Sequence, residues 1–212
     1  KAMVADETAR TTFAKNIKTV LEKNKLDGID LDFEWAENEK EYKDYSLAIL
    51  KMREVLGNKY LFSVSLHPVC YKISKEAIEA VDFISLQCYG PSPVRFPIEK
   101  YCSDIQMVLE YGIPKEKLVA GVPFYGVTKD NSKKTEAYFN FVQNGLVTSP
   151  AQNEVIYQGD TYVFDGQDNI RIKTRYAKEQ KLKGMMSWDL ATDLPLSDSR
   201  SLLKTMTEEL RE

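Results

Sequence analysis

The segment Leu26-Asp27-Gly28-Ile29-Asp30-Leu31-Asp32-Phe33-Glu34-Trp35 is where side-chain type and spacing in this 212-residue sequence could do chemistry. Read as a strand, it sends successive side chains to opposite faces. Ile29, Leu31, Phe33 and Trp35 then share one face, while Asp30, Asp32 and Glu34 share the other, with neighbouring acids about 6.6 Å apart along the chain. Three carboxyls stacked this closely in a partly buried place repel one another, so at least one is expected to keep its proton above the usual carboxyl range. A carboxyl in that condition is a general acid. A solvated acidic run would not interleave Ile, Leu, Phe and Trp, and a buried acid ladder destabilises a fold unless it is paired. A calcium loop counted from Asp30 places Glu41 at its twelfth position, but Trp35 at the sixth, where a glycine is needed.

Few other chemistries fit the composition. A single histidine, His67, removes Ser-His-Asp schemes and most metal sites; after an apolar run and before Pro68 it reads as a hydrogen-bonded structural residue. Cys70, Cys88 and Cys102 are odd in number and widely spaced, which excludes a disulfide framework or a C-x-x-C pair. They read as buried thiols, with one bridge left open. A net charge of −3 argues against a nucleic-acid partner. No run of 18 apolar residues is present, so no membrane span is expected. The N-terminal residues lack the apolar core of a signal peptide, so the protein is cytosolic or its signal has been removed.

The elements that must hold the acidic strand follow from periodicity. Residues 6–24, 38–56, 74–80, 97–111 and 199–211 carry apolar residues at helical spacing, and Gly57 stops the second of these helices. Strands are expected over 26–35, 60–66, 81–89, 118–124 and 185–190. Strand and helix alternate, the signature of parallel βαβ units. Residues 127–183 are too many for one crossover. Within them 135–144 looks helical, Gly159-Asp160 between two apolar runs reads as a hairpin turn, and 170–182 returns as a helix. This reads as a small insertion on a single α/β domain spanning 1–212.

Asp27-Gly28-x-Asp30-x-Asp32-x-Glu34 resembles the Asp-Gly-x-Asp-x-Asp-x-Glu motif of the fourth barrel strand in glycoside hydrolase family 18, the chitinases and their relatives. Further matches follow in order. Ser85-Leu86-Gln87-Cys88-Tyr89-Gly90 stands at the sixth-strand site, where many members have Met-x-Tyr-Asp. Gly121-Val122-Pro123-Phe124-Tyr125-Gly126 is similar to the seventh-strand Gly-x-Pro-x-Tyr-Gly. Gly184-Met185-Met186-Ser187-Trp188-Asp189 is similar to the eighth strand. Gln87 and Gly90 replace the usual Met and Asp, a version similar to the plant-type and endoglycosidase branches.

The resemblance implies an α/β fold, an incomplete (β/α)8 TIM barrel holding strands four to eight, with a small β-hairpin insertion before the last strand. It implies hydrolysis of β-1,4 linkages in N-acetylglucosamine-containing polysaccharide, without metal or organic cofactor, by a substrate-assisted retaining mechanism. Glu34 is then the general acid, Asp32 orients the acetamido group, and Asp30 shares a proton with Asp32. Tyr89 hydrogen-bonds the acetamido oxygen, Trp188 stacks under the sugar, and Gln87 and Tyr125 complete the substrate contacts. An endo-β-N-acetylglucosaminidase acting on N-glycan or peptidoglycan, a sugar-binding lectin and an inactive fragment are the alternatives. The family's first three strands are missing from the sequence, so an N-terminal segment or a second copy is expected to cover an open sheet edge. A family member acting on such polymers is expected to be secreted or periplasmic.

Overall fold

A computed structural model describes residues 1–89, 96–130 and 134–212. Gly90, the last residue of the sixth-strand motif, lies outside them. The described chain forms two compact units, residues 1–86 with 108–118, and residues 87–107 with 119–212.

In the first unit, α1 (Ala2–Ala5) and α2 (Glu7–Asn24) lead into β1 (Gly28–Asp32), then α3 (Glu39–Leu56), β2 (Leu61–Leu66), α4 (Lys75–Ala80) and β3 (Phe83–Leu86). Helix boundaries follow capping chemistry. The Asp6, Asn38 and Ser74 side chains accept hydrogen bonds from the first turns of α2, α3 and α4. Gly57 stops α3 at a φ of 61°, a conformation that glycine adopts without strain. On α3 the apolar face is Tyr45, Ala48, Ile49, Met52 and Leu56, all buried, whereas Leu47 points to solvent. The strands pair in parallel, β1 with β2 and β2 with β3. Their inward residues Leu31, Phe62, Val64, Leu66 and Ile84 form the core.

After α5 (Ile98–Tyr111), which the sequence led one to expect, β4 (Leu118–Pro123, of which Leu118 belongs to the first unit) pairs in the second unit in parallel with β9 (Gly184–Trp188). All five parallel strands expected from the sequence are therefore present. Between β4 and β9 lie β5 (Tyr125–Thr128), β6 (Thr135–Ala137), α6 (Tyr138–Gln143), β7 (Glu154–Tyr157), β8 (Asp160–Val163) and α7 (Gln167–Glu179). α8 (Leu202–Arg211) follows β9 and packs on α7. The expected hairpin is formed by β7 and β8, turning at Gln158 and Gly159, both at positive φ. The single helix expected over 135–144 is corrected. Residues 135–137 are a strand because their backbone pairs with Val127, Gly126 and Tyr125 of β5, and the helix begins at Tyr138. The antiparallel sheet runs β6-β5-β8-β7 and packs around Phe141, whose ring meets those of Tyr157, Tyr162 and Phe164.

A charged pair lies deep in this unit. Lys173 on α7 is 1% exposed and Asp165 is wholly buried, with Nζ 2.6 Å from the carboxylate. Burial pushes the Asp165 carboxyl up, opposed by the ammonium beside it and by Asn169. The Tyr101 ring faces the same ammonium at 5.5 Å.

Candidate active site

β1 carries the acids as the alternation predicts. Asp30, Asp32 and Glu34 are exposed, while Leu31 is buried and Ile29, Phe33 and Trp35 are half-buried. Two expectations are corrected. The acids stand in solvent, not in a partly buried place, because no layer among the described residues covers their face of β1. The strand also ends at Asp32, where its pairing with Ser65 of β2 is the last step of the ladder. Beyond that, β2 gives way to a turn closed by His67 and Cys70. Glu34 therefore projects from the segment just past the C-terminal end of the strand, with no ion-pair or hydrogen-bond partner among the described residues.

The motif's glycine has a steric reason. A Cβ on Gly28 would lie 2.2 Å from the backbone oxygen of Leu61, so only glycine lets β1 start this close to β2. Asp30 is held by two hydroxyls that the sequence reading missed. Ser63 donates to its Oδ1 at 2.5 Å and Ser65 to its Oδ2 at 2.7 Å. The signal was present, since two serines spaced by two on the neighbouring strand share a face as the acids do. Beneath the acids, Tyr45 of α3 donates to the Leu31 carbonyl at 3.2 Å and packs on Phe33. Burial holds its phenol well above the usual range, and the charges of Cys70, Asp30 and Asp32 add to this. Past the strand, the Ala36 N–H donates to the buried Cys70 sulfur, and the Trp35 ring lies 5.0 Å from that of His67. Burial is the main reason that the Cys70 thiol is raised. All three cysteines are free, so the bridge left open by the sequence is absent. His67 Nδ1 accepts from the Val69 N–H, in keeping with a structural role.

The predicted aromatic contacts stand in the second unit. Trp188 ends β9 and is 57% exposed. It lines a cavity of about 310 Å³ together with Tyr125, Glu136, Asp189 and Thr192. Asp189 caps the short 3-10 turn Leu190–Thr192 that follows. Tyr89 lies past the end of β3 and is buried against Phe96 and Val127. Its hydroxyl is 3.9 Å from the Met186 sulfur, and its ring meets Tyr125 edge-on at 6.4 Å. Gln87, also past β3, is half-buried. Gly126 again marks a close approach, since a Cβ there would lie 2.6 Å from the Phe141 ring. The structure thus sets Asp30 and Asp32 on one strand with Glu34 just past its end, and Tyr125 and Trp188 together in one cavity. The sequence reading missed Glu136 in that cavity because its stretch reads as helix.

Solved structures of similar fold place the chain among α/β proteins of TIM-barrel type. The GH18 chitinase ChiB from the chitin utilization locus of Flavobacterium johnsoniae superimposes with a TM-score of 0.82 at 26% identity, over 98% of this chain and 68% of that one. A chitinase from Bacteroides thetaiotaomicron gives 0.85 at 21% identity, over 97% and 70%. The chitinase-like agglutinin RobpsCRA of Robinia pseudoacacia gives 0.81 at 19%, over 98% and 75%.

Residues 1–193 match Glycosyl hydrolases family 18, and the chain belongs to that family, as the Asp27–Glu34 motif had indicated. Among curated relatives, probable chitinase 2 of Drosophila melanogaster is 24% identical over 90% of this chain and 52% of its own length. The class V chitinase of Arabidopsis thaliana is 23% identical over 91% and 65%, and chitinase A1 of Niallia circulans 23% over 90% and 38%. The chain thus spans between about a third and two thirds of the length of these relatives.

Proposed function

We propose that this chain supplies strands four to eight of a family 18 barrel and that its protein hydrolyses β-1,4 linkages in chitin-like, N-acetylglucosamine-containing polysaccharide. The observation that carries the reading is the acidic face of β1, followed just beyond the strand's C-terminal end by Glu34, which has no partner among the described residues. That is where a barrel enzyme keeps its reactive groups. Glu34 donates a proton to the glycosidic oxygen as the bond breaks. The substrate's own acetamido oxygen attacks the anomeric carbon, so no second enzyme carboxylate acts as nucleophile. Asp32 orients the acetamido group and offsets the positive charge of the cyclised intermediate. Asp30, fixed by Ser63 and Ser65, shares a proton with Asp32. Trp188 offers its exposed face to a sugar ring, with Tyr125 beside it. Tyr89 and Gln87 complete the contacts with the acetamido group.

The names of the relatives support chitin as the polymer, and a polymer substrate goes with a protein exported to the cell exterior or periplasm. No helix among the described residues is long and apolar enough to cross a membrane. Fold alone does not decide for hydrolysis, since an agglutinin shares it; the presence of Glu34 at the end of the acidic motif favours it. The test is turnover of chitooligosaccharides followed by NMR of the anomeric product. The expected result is cleavage with retained configuration, and no cleavage of fully deacetylated oligomers. An inverted product, or equal hydrolysis of cellulose oligomers, excludes the mechanism.

A further inference from the structure

We infer that Glu136 is a specificity-determining residue that reads a free amine on the substrate, so that the cavity beside Trp188 favours chains in which a glucosamine unit adjoins an N-acetylated one. The inference rests on the reading of Trp188 as a sugar platform and adds to it the preference of the neighbouring position.

Glu136 sits in the middle of β6, immediately before α6, and is half-buried in the wall of the 310 Å³ cavity. Its Oε1 accepts from the Asn140 side chain at 2.6 Å and from the Ala137 backbone N–H at 2.9 Å. Those two bonds fix the carboxylate in one orientation, and its Oε2 has no partner among the described residues. Among the described residues, Lys134 pairs with Asp160 and Lys129 with Glu154. The cavity lining, likewise among the described residues, contains Glu136 and Asp189 and no cationic side chain. Asp189 spends Oδ1 on the Ala191 N–H and is committed to capping. A preorganised carboxylate with a spare oxygen, in a cavity of negative sign with an aromatic wall, suits a ligand that is a flat ring with a cationic donor on its edge. A glucosamine ammonium meets that description, whereas an acetamido group offers the carboxylate only a neutral N–H in place of a charge-assisted bond.

The test is calorimetric titration in a Glu34→Gln background, where the ligand is not turned over. The ligands are a fully acetylated chitotetraose and a tetramer of mixed glucosamine and N-acetylglucosamine. Glu136→Gln keeps an oxygen for Asn140 and Ala137, so melting temperature is expected to hold. Loss of the charge-assisted bond is expected to weaken the mixed tetramer about tenfold and the acetylated one by less than about twofold. Equal losses for both ligands, or no loss, overturn the inference. Should Glu136→Gln unfold the protein, Asn140→Ala provides the second arm: freeing the carboxylate from its holder is expected to shrink the preference for the mixed tetramer, and an unaltered preference overturns the inference. Trp188→Ala separates the two readings. If it leaves both ligands bound as before, the sugar platform itself is wrong; if it weakens both while Glu136→Gln changes nothing, only the role of Glu136 is wrong.

Discussion

Two carboxylates in this molecule live under opposite rules. Glu34 stands exposed just past the end of β1, with no cation beside it among the described residues. Asp165 is sealed in the second unit against Lys173 and Asn169, with the same lysine facing the Tyr101 ring. Water is at hand in the first place, whereas in the second a fixed ammonium must stabilise the buried charge. A carboxyl locked to a lysine cannot hand a proton to a substrate without leaving a buried charge behind. The one left free of any partner is the one available for chemistry. Structural acids are therefore recognised by the company they keep, and reactive ones by an unfilled position.

The sharpest way to break this comparison is to neutralise the free acid. Glu34→Gln keeps shape and is expected to lower chitooligosaccharide turnover by about 10²–10⁴-fold with binding retained. Steady-state rates near those of the parent protein would end its assignment as the acid. Removing the partner of the sealed acid should instead strike stability. Lys173→Met strands Asp165 and is expected to destabilise the protein by about 3–5 kcal/mol, whereas also changing Asp165→Leu should recover much of that loss. Urea melts of the single and double variants measure both, and a harmless single change would contradict the burial argument.

Packing is a smaller contributor in the same unit. Gly126→Ala pushes a Cβ into the Phe141 ring, and a loss of about 1–3 kcal/mol is expected by denaturant titration. The weakest effect concerns an acid between the two extremes. Asp82 is partly exposed; burial works to raise it, but the Phe62 N–H and the Arg53 guanidinium, each at 2.7 Å, hold its carboxyl below the usual range. Its contribution is present above the ordinary carboxyl pKa of about 3.9 and fades as pH falls through the lower folded value. The gap in melting temperature between the parent and Asp82→Asn should accordingly narrow from pH 6 to the most acidic pH at which the protein still folds.

Much of the plan was readable because its causes are local. The period of two in Ile29–Trp35 and the helical spacing along α3 reflect which side faces the core. The Asp27–Glu34 pattern named the family because its Gly28 and its alternate acids are demanded by one strand. What escaped was set by partners distant in sequence. The strands are shorter than their apolar runs because a parallel ladder stops where its neighbour turns away. Thr135–Ala137 became a strand only because β5 lay ready to pair with it. The bonds from Ser63 and Ser65 to Asp30 span more than thirty positions. The exposure of the acids depends on what covers β1, which its own residues do not state.

The register between β1 and β2 works as a key with one cut. It places Asp30 opposite Ser63 and Asp32 opposite Ser65. A slip of one residue would turn every carboxyl into the core. A slip of two would restore the faces, yet would set Asp32 against His67 in one direction and Asp30 against Leu61 in the other. Only one alignment satisfies the apolar face and gives Asp30 both hydroxyls. Zipping the sheet and assembling the acid array are consequently a single event, and conditions that fray this pair of strands should erase the acids' arrangement all at once and not acid by acid.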